Sequence, residues 1–146
     1  MRPNSVASID QDLADQLERA NENQLRAAAL LAVRFALARI PLMEPAIAEG
    51  LQALEEHRYG DQDVRSRVEA VVRKYDEQQW GLQEDGQGDS PAYSDAFEKA
   101  RAANALYYAL DPDPWLAATR AIYDTEAATE DLPGLRREVL SGLAAS

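Results

Sequence analysis

Residues 24–40, QLRAAALLAVRFALARI, are apolar on nearly every side and run straight into Pro41. A helix of this composition has no face to leave in water, so it must sit near the middle of a bundle with other helices around it. Pro41 ends it, because proline lacks the amide that would continue the ladder and clashes with the preceding turn. The longest apolar run, Ala27 to Val33, stops at Arg34 and is far short of the roughly 20 residues needed to span a bilayer.

Helical periodicity recurs along the rest of the chain, and no stretch shows the period-two alternation of a strand. The expected fold is therefore all-α, a single domain of six or seven helices around the 24–40 segment, with residues 1–8 as a flexible tail. A first helix is expected from Ile9, capped by Ser8 with Gln11 three residues on. Asn21 with Gln24 can cap a fresh start, although an unbroken helix through this point keeps the same apolar stripe. Further helices are expected over Pro45–His57, stopped by Gly60, and over Gln62–Leu82, capped by Asp61. After the EDGQGDS loop, Ser90 and Pro91 open a helix reaching Leu110. Pro114 to Thr129, with Leu116, Thr119, Ile122 and Tyr123 inward, and Leu135 to Leu143 complete the set.

Between two of these helices lies LDPDPW, residues 110–115. The prolines stop the outgoing helix, and Asp111 or Asp113 caps the incoming one. A helix-to-helix corner accounts for the motif. A metal-binding Asp pair lacks the further oxygen ligands such an ion needs.

The charge balance narrows the function. With 26 acidic against 15 basic residues the net charge is −11, a surface that repels phosphate backbones and anionic membranes and attracts a basic protein. Nucleic acid and membranes are not expected as partners. The absence of cysteine excludes disulfides, thiol nucleophiles and zinc–thiolate sites and fits a cytoplasmic protein. The single histidine, His57, has Leu54 rather than an acid three positions earlier, so the Glu-x-x-His di-iron pattern fails. No phosphate-binding glycine loop and no nucleophile elbow occurs. No catalytic residue, metal site or cofactor is expected.

Candidate binding residues come from polar groups inside apolar segments. Arg34, in LAVRFALAR, is expected to be buried against a carboxylate of another helix, with Glu126, Asp124 and Glu98 as candidates, because a lone buried charge is costly. Asn104 and Arg101 lie three apart on one helix face, and Arg34 or a tyrosine hydroxyl could satisfy the asparagine. Tyr107 and Tyr108 point about 100° apart and serve different neighbours, with Tyr108 the more exposed. Trp80 and Trp115 are further contact candidates.

Three features together resemble a small bacterial all-helical family of unknown function, the YjaG type: the Ala-rich helix with Arg34, Arg39 and Pro41, the Gly60-Asp61 step before a charged helix, and the stretch from Ala102 to Asp113. The resemblance covers roughly residues 24–128 and implies a helical fold with no known catalytic residues. The expectation that follows is a non-catalytic interaction protein, self-associating or an immunity-type inhibitor of a basic partner. The alternative is a small-molecule or anion sensor with a pocket near Arg34 and Asn104.

Overall fold

The computed structural model describes residues 2–144. Among them are a 3₁₀ turn, Ser5–Ser8, and seven helices: α1 Gln11–Glu18, α2 Glu22–Arg39, α3 Pro45–Glu55, α4 Gln62–Glu84, α5 Pro91–Ala109, α6 Pro114–Thr129 and α7 Leu132–Ala144. No strand occurs among the described residues, so the fold is the expected all-α bundle. No helix among them is long and apolar enough to cross a membrane.

The helix starts follow local chemistry. Asn21 and Gln24 form a reciprocal capping box, which settles that α1 and α2 are separate helices. The Asp61, Ser90 and Asp113 side chains each accept backbone amides of the helix they open, and Pro91 and Pro114 take the first turn of α5 and α6. At the first helix the cap is Asp10, which accepts the Leu13 amide, and not Ser8. The Ser8 hydroxyl instead donates to the Ser5 carbonyl inside the 3₁₀ turn.

Helix α2 lies at the centre, packed against α5, α6 and α7, while α5 packs extensively on both α4 and α6. Much of the interior is alanine: Ala28, Ala29, Ala32, Ala100, Ala103, Ala105, Ala118 and Ala121 are all fully buried. Small side chains let the helix backbones approach closely. The Thr125 hydroxyl can therefore reach across from α6 to the Ala32 carbonyl of α2, 3.2 Å away. Larger residues from the outer helices close the ends, with Leu13, Leu17, Leu106, Leu110, Ile122 and Leu135 fully buried.

The N-terminal segment does not trail away as a tail. Val6 is fully buried, the Ser5 hydroxyl donates to the Thr119 carbonyl, and the Trp115 indole donates to the Pro3 carbonyl at 2.8 Å. Its anchors, Val6 and the Trp115 indole, supply the apolar burial and the hydrogen bond that hold it against α6.

Candidate functional site

The buried guanidinium of α2 belongs to Arg26, and Arg34 is on the surface. Arg34 pairs with Glu55 of α3 at 2.5 Å, and both side chains are nearly half exposed. None of its expected partners, Glu126, Asp124 or Glu98, is involved. Arg26 is 8% exposed. It donates to the main-chain carbonyls of Asp111 and Pro112 at 2.8 Å each and to that of Ala109 at 3.4 Å. Its guanidinium lies flat over Tyr59, 3.6 Å from the ring centre. Helix α5 ends here, so its last carbonyls lack intrahelical partners, and an arginine supplies donors in a planar fork. Burial lowers the Arg26 pKa, an effect opposed by Tyr59 and by Glu22, Asp111 and Asp113.

The aspartate–proline corner is fastened from a second side. Arg65 of α4 pairs with the Asp111 carboxylate at 3.2 Å, with both side chains largely buried, and its guanidinium covers the Tyr107 ring. The Gly60 amide donates to the Leu110 carbonyl at 2.8 Å. The corner is a structural junction clamped by two arginines, as its stop signals indicate.

Arg101 and Asn104 do come together, around a residue considered for a different role. Asp124 of α6 is 1% exposed. It accepts from Asn104 Nδ2 at 3.0 Å, and its other oxygen lies 3.6 Å from Arg101. Arg101 also reaches Asp76 of α4. Neither Arg34 nor a tyrosine satisfies Asn104. Burial pushes the Asp124 carboxyl up to about 6, against the pull of Arg101, Arg120 and the Asn104 bond. Its Oδ1 makes no hydrogen bond among the described residues. This network links α4, α5 and α6 and fixes their mutual register. Arg34 pairs with Glu55 and Asn104 with Asp124, so the two residues share no partner among the described residues.

The aromatic residues divide between two sides of α5. Tyr107 faces α4 beneath Arg65, and Tyr108 faces α6 beneath Arg120, their rings edge to face at 5.4 Å. Burial raises the Tyr107 pKa, with Arg65 opposing. Trp115, one of the contact candidates, is buried, and Arg2 stacks on its indole at 3.7 Å. Trp80 is exposed, at the far end of α4. Leu116 and Tyr123, expected inside, are exposed instead. They lie seven residues apart, about two turns of α6, and Arg120 stands between them.

Arg120 stands apart from most other arginines of the chain. Its guanidinium lies between the Tyr108 and Tyr123 rings, 4.8 and 5.7 Å from their centres. Its Nε has no hydrogen-bond partner among the described residues, and no carboxylate lies within ion-pair distance of it among them. Beside it a cleft of about 370 Å³ runs under the N-terminal segment, walled by Pro3, Trp115, Leu116 and Thr119. Sequence reasoning missed this face because Leu116 and Tyr123 repeat at the same seven-residue interval as Trp115 and Ile122, and only the latter pair turns inward.

Comparison with protein-family models, with curated proteins and with solved structures found no match. The YjaG-type resemblance therefore rests on its sequence motifs alone.

Proposed function

We propose that the protein is a non-catalytic interaction module that pairs with a second copy of itself through the outer face of α6. The observation that carries this reading is Arg120: a cation held between two tyrosines, with no carboxylate in ion-pair contact among the described residues, and flanked by exposed Leu116 and Tyr123. Tyrosine and arginine are the residues that most often anchor protein interfaces, and a guanidinium already stacked loses little freedom on binding. Self-pairing supplies the missing acid from a chain with 26 acidic side chains, most of them outside the core. The absence of cysteine is consistent with a reducing cytoplasm.

The net charge of −11 favours a second reading, an inhibitor that covers a basic partner, and salt separates the two. Two acidic copies repel at long range, so screening favours self-pairing, whereas attraction to a basic partner weakens with salt. Light scattering over a concentration series is expected to show a dimer that strengthens between low and moderate salt. Leu116→Asp and Arg120→Glu are each expected to weaken it at least tenfold without altering the helical circular dichroism. A monomer at every concentration and salt level rejects self-pairing and leaves the basic-partner reading.

A further inference from the structure

A second cleft, of about 300 Å³, lies between the first half of α2 and the connector from α3 to α4. It shares no lining residue with the cleft beside α6. Its size is at the lower end of small-molecule sites, roughly 300–1,000 Å³. Ala27, Leu30 and Leu54 make an apolar wall, and His57, Tyr59 and Arg26 provide the polar side.

His57 holds an expensive position. It has φ +59, the left-handed region that residues with a Cβ rarely adopt. The reason is local: α3 ends with the Arg58 amide donating back to Ala53 and the His57 amide to Leu54, a termination that needs a left-handed residue at 57. The same pair of bonds ends α4, from Gln87 to Leu82 and from Gly86 to Gln83, and there the left-handed residue is glycine. One chain thus contains the same turn twice, once with the residue that fits and once with its only histidine. Glu130, which ends α6, is also left-handed at φ +50, but only the strained side chain of His57 lines this cleft, which points to a role for it there.

The imidazole has such a role within reach. Its Nδ1 is hydrogen-bonded to the Tyr59 hydroxyl at 2.8 Å, which orients the ring at the cleft and leaves Nε2 without a partner among the described residues. Beneath Tyr59 lies the Arg26 guanidinium, more than nine-tenths buried, with no carboxylate in ion-pair contact and with its Nε unpartnered. A buried cation whose direct partners are carbonyl dipoles is best completed by an anion. Glu22 in the cleft lining opposes this, and Asp111 and Asp113 already lend Arg26 some negative charge.

From the Nε2 of a left-handed His57, the buried positive charge of Arg26 behind Tyr59 and the apolar wall, we infer that this cleft binds a small organic monocarboxylate with a branched or aromatic body. The body lies against Leu30 and Leu54, and the carboxylate faces His57 and the Arg26 side of Tyr59. The inference does not depend on the α6 reading.

The test is an NMR titration of the full chain with 4-methylpentanoate and with phenylacetate, using the two corresponding amides as neutral controls. Saturable shifts of the His57, Tyr59 and Leu30 signals are expected for the carboxylates, with the amides at least tenfold weaker. His57→Gly is expected to weaken carboxylate binding at least tenfold while keeping or raising the melting temperature, and Glu22→Gln to tighten binding. Three results would each overturn the inference: no saturable shift with either carboxylate, equal binding of acids and amides, or a His57→Gly variant that melts lower than the parent and so marks the imidazole as structural.

Discussion

Replacing Arg26 by alanine is expected to destabilise the protein by about 3 kcal/mol, the cost of losing charge-assisted hydrogen bonds and stranding their acceptors. For a chain of this size that is a fall in melting temperature of roughly 10 °C. Three carbonyls at the end of α5 and in the corner, those of Ala109, Asp111 and Pro112, lose their donor in one step, and Tyr59 loses the cation on its face. Lysine cannot restore the arrangement, because an ammonium is a point donor and cannot bridge carbonyls as a planar fork does. The comparison that gives the result meaning is Arg34→Ala. Its pair with Glu55 is exposed, and such pairs contribute about 0.2–1 kcal/mol. Urea denaturation of both variants measures the contrast. Equal losses would show that burial of Arg26 adds nothing to its contribution, and a larger loss from Arg34→Ala would reverse the roles of the two guanidinium groups.

Asp124→Asn is expected to stabilise the protein at pH 8 by about 2 kcal/mol, somewhat less than the roughly 1.36 kcal/mol per pKa unit would give for the full shift. Burial raises the folded carboxyl to about 6 from a starting value of 3.8. A carboxyl raised on folding favours the folded state fully below its unfolded pKa, and that contribution disappears as pH climbs through the folded value. At pH 8 the native state therefore carries an ionised, buried group whose Oδ1 is unbonded. The amide is neutral, has nearly the same shape, and keeps an oxygen to accept from Asn104. The advantage of the variant should shrink between pH 7 and 5 and be gone near pH 4. Thermal melts of the parent and the variant across this range follow the difference directly, which cancels the titration of the many surface carboxylates. A variant less stable than the parent at pH 8 would mean that the Arg101 contact at 3.6 Å outweighs desolvation.

The helix boundaries were legible wherever their cause was local. Asp61 and Ser90-Pro91 act within one turn and open helices as expected, while the Asn21–Gln24 box and Asp113-Pro114 decide between alternatives that the sequence leaves open. Ser8 misled because it is a good capping residue two positions before a better placed one, and Asp10 carries the Leu13 amide. The choice of buried arginine was not local. Arg26 and Arg34 lie eight residues apart, about 80° around the helix, and α2 is apolar on both sides. What decides between them is a set of carbonyls more than 80 residues further on, brought beside Arg26 by the corner. A usable signal was present: a helix stopped by two prolines leaves carbonyls that some donor must satisfy. In α6 the alanines allow either of two stripes to turn inward, and the burial of Trp115 over Leu116 depends on the docking of Pro3. Arg101 and Asn104 were correctly placed on one face, and their partner emerged only once α5 and α6 were packed together.

Nitrogen-15 NMR of the arginine guanidinium groups tests the central claim, that α2 carries a sealed guanidinium closing the end of α5. One guanidinium is expected to show resolved Nη protons that exchange slowly with water, and Arg26→Lys should remove that set of signals alone. Fast-exchanging, averaged Nη protons for Arg26, or a slow set that disappears with Arg34→Lys instead, would contradict it.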